Sequence, residues 1–211
     1  DSIKLASNEN PMGPSPRVTA AIEAELGELT RYPDGGAFAL RSALAARHGV
    51  APECITVGNG SNDVLDMIAR VFLWSGRDSV FSQYAFAVYP LSSMAVGARL
   101  EIVPARDYGH DLDAMQAKVG AQTGVVWVAN PNNPTGTRLA EAALRNFVAA
   151  LPEQVIVVID EAYFEYVEEP DHPDASQWLD DFPNLIVTRT FSKAYGLAAL
   201  RVGYGISHPD I

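Results

Sequence analysis

Val155-Ile-Val-Val-Ile-Asp-Glu-Ala-Tyr163 is the stretch that decides the fold. An unbroken apolar run of this kind reads as a strand buried on both faces, and it ends abruptly in the carboxylate of Asp160. Further strand-like runs lie at residues 55–57, 79–81, 100–103, 125–129, 185–190 and 202–206. Between most of them the spacing turns helical. Leu65, Ile68, Ala69 and Phe72 share one face, as do Leu144, Phe147, Val148 and Leu151. Nearer the amino terminus, Val18, Ala21, Ile22 and Leu26 form one apolar stripe, and Leu40, Ala43 and Leu44 form another that stops at Gly49. This alternation predicts an α/β fold of three layers (αβα) around a mostly parallel, seven-stranded sheet. Ligands of such sheets bind beyond the carboxyl ends of the strands, so the residues following each strand are where chemistry is sought.

Bulk properties narrow the function. The chain has 211 residues, 48% of them hydrophobic, which suits one large domain or one and a half. A formal net charge of −11 argues against a nucleic-acid or anionic-membrane partner, because phosphates would be repelled. The Val155–Ile159 run is far too short to span a membrane, and Asp1-Ser-Ile-Lys-Leu5 lacks the pattern of a secretory signal. Cys54 is the single cysteine, so an internal disulfide and a cysteine-rich zinc site are excluded, and no metal is expected. These features predict a soluble cytoplasmic enzyme. The absence of an initiator methionine, and an end at His208-Pro-Asp-Ile211 just after a strand, read as a piece of a longer protein.

The strand ends carry the candidate chemistry. Gly60-Ser61-Asn62 follows the first strand and opens a helix, where small residues leave backbone N–H groups and the positive end of the helix dipole facing an anion. An ordinary turn with Ser61 as N-cap accounts for the same residues. A dinucleotide fingerprint does not, because Asp63 stands where the third glycine of G-x-G-x-x-G belongs. After the fourth strand, Asn130-Pro-Asn-Asn-Pro-Thr-Gly136 makes a rigid turn from which Asn133 can donate into the crevice. Asp160 ends the fifth strand, where a carboxylate is costly without a cationic partner. No lysine or arginine adjoins it in sequence, which points to a cation on a ligand. The sixth strand leads into Thr190-Phe-Ser192-Lys193, with Arg201 eight residues further on. Taken alone, such a lysine is a surface charge. The acidic, proline-rich residues 168–174 read as a solvated surface loop.

In this order the motifs resemble those of fold-type I pyridoxal 5′-phosphate (PLP) enzymes, and more narrowly the class I/II aminotransferases. The resemblance implies that Lys193 bonds to the cofactor aldehyde and later moves the proton at the substrate α-carbon. It implies that Asp160 pairs with the pyridine nitrogen and that Tyr163 and Asn133 hydrogen-bond the 3′-oxygen. Arg201, Ser192 and Thr190, with Gly60, Ser61 and Asn62, would hold the phosphate. Tyr84, in Ser82-Gln-Tyr-Ala-Phe86, matches the aromatic residue that stacks on the cofactor ring.

Leu5-Ala-Ser-Asn-Glu-Asn-Pro-Met-Gly-Pro14, Arg31-Tyr-Pro-Asp-Gly-Gly36 and Gln83-Tyr-Ala-Phe-Ala-Val-Tyr-Pro90 resemble histidinol-phosphate aminotransferases in particular. That likeness implies amino transfer between L-histidinol phosphate and 2-oxoglutarate, yielding glutamate, within histidine biosynthesis. It also implies a homodimer in which Tyr32 reaches the phosphate of the other subunit. Residues 1–30 read as an arm and first helix, and residues 31–211 as the PLP-binding large domain. In the family the arginine that grips the substrate lies in a carboxy-terminal small domain, so residues 1–211 alone are expected to be poorly active. Two other readings keep the scaffold: an aromatic-amino-acid aminotransferase and a phosphothreonine-type decarboxylase. A third, of another class, is a non-catalytic binding module.

Overall fold

The computed structural model describes Ile3 and residues 7–211; Leu5 and Ala6, which open the amino-terminal motif, lie outside the described residues. Seven strands form one sheet: β1 (Ile55–Asn59), β2 (Asp78–Ser82), β3 (Arg99–Val103), β4 (Thr123–Ala129), β5 (Ile156–Asp160), β6 (Leu185–Thr190) and β7 (Val202–Ser207). Their spatial order is β1-β7-β6-β5-β4-β2-β3. All neighbours pair in parallel except β7, which runs antiparallel to both β6 and β1. The mostly parallel seven-stranded sheet expected from the sequence is therefore present.

Six α-helices accompany it: α1 (Pro16–Glu25), α2 (Phe38–His48), α3 (Ser61–Phe72), α4 (Val88–Ala95), α5 (Leu112–Lys118) and α6 (Glu141–Ala150). The pleat of the central strands sorts them into two layers, because successive side chains point to opposite faces. Val126 and Val128 of β4, Val157 and Ile159 of β5, and Leu185 and Val187 of β6 pack with Leu44 of α2, Met115 of α5, and Leu144 and Phe147 of α6. The alternate residues Val125, Trp127, Ile156, Val158 and Ile186 pack with Val64, Leu65 and Ile68 of α3 and Tyr89 of α4. A strand apolar on both faces needs cover on both, and the two helical layers supply it.

The expected amino-terminal helix is present but lies open, and one other expectation needs correction. Helix α1 forms, with Ser15 as its side-chain N-cap, but none of its residues is buried and Leu26 just beyond it is 56% exposed. Among the described residues its apolar stripe joins no buried core. The acidic stretch at 168–174 is not simply solvated. Asp171 pairs with Arg138 at 2.8 Å, and Asp174 Oδ1 lies 2.7 Å from the guanidinium of the buried Arg189. The loop is pinned at both ends by arginines far away in sequence, which local composition does not reveal.

Candidate active site

At the carboxyl ends of the parallel strands lies a cavity of about 370 Å³. Ser61, Asn62, Asn133, Asp160, Tyr163, Thr190, Ser192, Lys193 and Arg201, all singled out in the sequence, line it. Arg201 gets there by a route the strand-end rule does not anticipate, since it precedes β7 rather than following a strand. Because β7 runs backwards, its first residue lies at the same end of the sheet as the last residues of its neighbours.

The cradle on the β1 side is closely fitted. Gly60 is the N-cap of α3 at φ +80°, so Ser61 is the first helical residue and not the cap. Asp63, the residue that breaks the dinucleotide pattern, accepts a hydrogen bond from the Asn59 N–H at 3.0 Å and so braces the turn. A Cβ on Gly60 would collide with the Arg201 guanidinium, and one on Gly203 would collide with the Ser61 backbone nitrogen. Glycine at both positions lets β7 and the arginine lie against the helix start. Arg201 sits in the left-handed region at φ +54°, a costly conformation for a non-glycine residue. Its Nη1 donates to Ser192 Oγ at 3.2 Å and to the Ala198 carbonyl at 3.0 Å, and Nη2 donates to the Asn59 carbonyl at 3.0 Å. A fixed guanidinium beside free N–H groups at a helix start makes an anion site.

Asp160 is only 4% exposed. Its Oδ2 accepts from Tyr89 Oη at 2.7 Å and its Oδ1 from Thr188 Oγ1 at 2.9 Å. Burial pushes its pKa above the ordinary carboxylate value, against the pull of those two hydroxyls and the Ala162 N–H; Lys193 acts on it through space. Both side-chain donors are neutral, which leaves the carboxylate able to meet a cation in the cavity. Neither Tyr89 nor Thr188 was singled out in the sequence. Thr188 is two residues before Thr190 on β6, so the alternation of the strand could have pointed to it.

Lys193 Nζ donates to the carbonyls of Ser7 (3.1 Å) and Asn8 (3.3 Å) and lies 5.7 Å from the Tyr163 ring centroid. Burial, and then the Arg201 charge, lower its pKa from the ordinary lysine value. Tyr163 Oη accepts from Asn8 Nδ2 at 2.9 Å, and Asn10 Nδ2 donates to the Ala194 carbonyl at 3.0 Å. The arm thus crosses the mouth of the cavity, and Ser7 and Glu9 line it. Asn133 is presented by a turn with internal fastenings. Asn130 Oδ1 accepts from the Leu139 N–H at 2.8 Å, and Asn132 Nδ2 donates to Thr135 Oγ1 at 2.8 Å.

Tyr84 is not brought into this cavity. It is 37% exposed and stacks on Tyr108, with ring centroids 5.7 Å apart. Phe86, two residues on, lines the cavity instead and meets Tyr89 edge-on at 5.9 Å. The turn between β2 and α4 decides which aromatic faces inward, and the sequence does not show how that turn is wound. Tyr32 is 99% exposed and takes no part in the cavity of its own chain. Among the described residues, no cluster of His, Cys, Asp and Glu could hold a metal ion, and no helix is long and apolar enough to cross a membrane.

Comparison with known proteins agrees with this geometry. Residues 1–211 match the family model for aminotransferase class I and II. Histidinol-phosphate aminotransferase 2 of Methylococcus capsulatus is 57% identical over 99% of this chain and 58% of its own length. The Pseudomonas fluorescens protein of the same name is 58% identical over 99% of this chain and 56% of its own. The crystal structure of histidinol-phosphate aminotransferase from Sinorhizobium meliloti in complex with pyridoxal-5′-phosphate superposes with a TM-score of 0.92 at 37% identity, covering 97% of this chain and 56% of that one. The chain spans a little more than half the length of the curated relatives it matches. By sequence along its whole length and by the shape of its sheet, this chain belongs to the class I and II aminotransferases.

Proposed function

We propose that the protein carrying this chain is a PLP-dependent aminotransferase that exchanges an amino group between L-histidinol phosphate and 2-oxoglutarate, working in the cytoplasm as a homodimer. The observation that carries this reading is the convergence of Lys193, Asp160 and Arg201, from separate strand ends, on one cavity.

The residues present fit PLP. A phosphate needs donors that stay charged and fixed, and Arg201 with Ser192 and the start of α3 supply them. A protonated ring nitrogen needs a buried carboxylate not already matched to a cation, which describes Asp160. An aldehyde needs an amine that gives up its proton readily, and the pKa of Lys193 is lowered in that sense. A flat ring needs an apolar wall, which Phe86 and Ala162 offer. When bound, PLP supplies the electron sink for charge developing at the substrate α-carbon. Asp160 would hold the proton on the ring nitrogen, and Tyr163 and Asn133 would hydrogen-bond the ring hydroxyl oxygen. Lys193 would take the α-proton from one carbon and return it to another. Phe86 and the arm over the cavity would keep water from competing.

The choice of histidinol phosphate is supported by the names of relatives at 57% and 58% identity. The full exposure of Tyr32, beside the exposed Leu26 and Leu29, supports a second copy covering this face and receiving the tyrosine. Adding PLP to the full-length protein should produce a visible absorption band that Lys193→Ala abolishes; no band in the wild type would refute the cofactor assignment. Steady-state comparison of histidinol phosphate, phenylalanine and phosphothreonine tests the substrate, and equal turnover of phenylalanine would refute that choice.

A further inference from the structure

The carboxylate of Asp160 is placed by a phenol that is itself locked into the core. Tyr89 is 1% exposed and its Oη donates to Asp160 Oδ2 at 2.7 Å. Its ring stacks on Trp127 with centroids 5.2 Å apart and planes 9° from parallel. Trp127 Nε1 donates to Ser79 Oγ at 2.9 Å, and Ser79 Oγ shares a hydrogen bond of 2.7 Å with Ser93 Oγ. Ser93 Oγ donates in turn to the Tyr89 carbonyl at 2.7 Å, closing the circuit on the same residue. Ring and backbone of Tyr89 are therefore both held, and little more than rotation of the O–H bond is left free. Burial and the adjacent carboxylate raise the phenol's pKa well above the ordinary value, so it stays a donor at every working pH.

We propose that Tyr89 is a positioning residue for Asp160. Its phenol fixes which lone pairs of the carboxylate face the cavity and favours the charged form that pairs with the ring nitrogen of PLP. This rests on the cofactor assignment above. Four groups face Asp160: Tyr89 from α4, Thr188 from β6, Lys193 from the loop after β6, and Tyr163 from the loop after β5. The neighbouring Glu161 is bonded to Arg189, away from this set. Of the four, only Tyr89 and Thr188 hydrogen-bond Asp160 through their side chains. Hydrogen bonds to the charged form of an acid favour that form, so losing one lets a buried carboxylate take up a proton at higher pH. A protonated Asp160 cannot pair with a protonated ring.

The test is PLP affinity from pH 5 to 8, read from the absorption band of the full-length protein, in wild type and Tyr89→Phe. Phenylalanine keeps the stacked ring and removes only the donor. The acid limb of the affinity profile should move up by on the order of one pH unit, a tenfold change in proton affinity. With 1-deaza-PLP, which has no ring nitrogen, the two proteins should show the same profile. Should Tyr89→Phe not fold, 3-fluorotyrosine at position 89, a stronger donor, should move the limb down. An unmoved limb, or one that moves equally with 1-deaza-PLP, overturns the proposal. No band in the wild type overturns the cofactor assignment beneath it.

Discussion

Asp160 and Glu161 are adjacent carboxylates at the end of β5, both buried, and they face different worlds. Asp160 looks into the cavity and, among the described residues, is bonded only by hydroxyls and a backbone N–H. Glu161, 0% exposed, receives Arg189 Nε at 2.9 Å and Nη2 at 2.7 Å, while its Oε1 caps the Ala175 N–H at 3.1 Å. Arg189 also reaches Asp174 at 2.7 Å and lies over the Phe164 ring at 3.7 Å. One strand end thus carries two solutions to the same desolvation problem. The ion pair ties the loop after β5 to β6. The neutral partners leave their carboxylate with its charge unmatched and available. The contrast teaches that a functional carboxylate is marked less by burial than by what is withheld from it.

The largest expected effect breaks the structural side. Arg189→Ala leaves Glu161 and Asp174 without their cation, and losing one partner of a buried pair costs about 3–5 kcal/mol. Urea unfolding of the full-length protein should show that loss; a cost below about 1 kcal/mol would mean that the pair is not what holds the loop. Asp160→Asn should do the reverse. Stability should fall by about 1–2 kcal/mol, less than for Arg189→Ala, because no charge is left unpaired but one of the two hydroxyls that donate to Asp160 must instead face the Asn amide nitrogen. PLP affinity should fall about 10- to 100-fold, the worth of a charge-assisted hydrogen bond. A large stability loss without a loss of affinity would reverse the roles assigned to the two carboxylates.

Smaller changes sharpen the picture of what faces Asp160. Phe86→Ala should weaken PLP binding by about 2- to 10-fold, in keeping with an aromatic contact of about 0.5–1.5 kcal/mol, whereas Tyr84→Ala should leave it unchanged. Equal losses from both would restore Tyr84 to the site. The last expectation concerns pH. Burial pushes Glu161 from 4.5 up to about 7, against the attraction of Arg189. A raised folded-state pKa means that the folded chain binds more protons than the unfolded chain in this window. Its contribution is present in full below pH 4.5 and is lost as the pH rises towards about 7. Glu161→Gln should flatten that part of the stability profile, measured as urea midpoints at pH 5 and 7.5. An unchanged slope would place the titration elsewhere.

Much of this site is legible in the chain because its signals are local. The run at Val155–Ile159 reads as a strand sealed on both faces, which places the polar residue ending it where ligands bind. The strand-end rule marks the segments that carry Asn133, Tyr163, Ser192 and Lys193, while the resemblance of the motifs taken together singles out the residues, and all four line the cavity. Two aromatics share the turn after β2, and only its winding decides that Phe86 lines the cavity while Tyr84 stacks on Tyr108. Tyr89, on a helix remote from β5 in sequence, offered no sign of its partner.

Alternating periodicity determined the α/β class, the strands and the positions of the chemical groups along the chain, since each depends only on near neighbours and on the solvation of single side chains. The tertiary structure decided the strand order, the reversal of β7 that delivers Arg201, and the left-handed backbone at that residue. It also decided that Asp160 would be held by Tyr89 and Thr188 while Glu161 went to Arg189. Those outcomes depend on which distant segments share space, and whether a buried carboxylate stays available depends on which partners reach it.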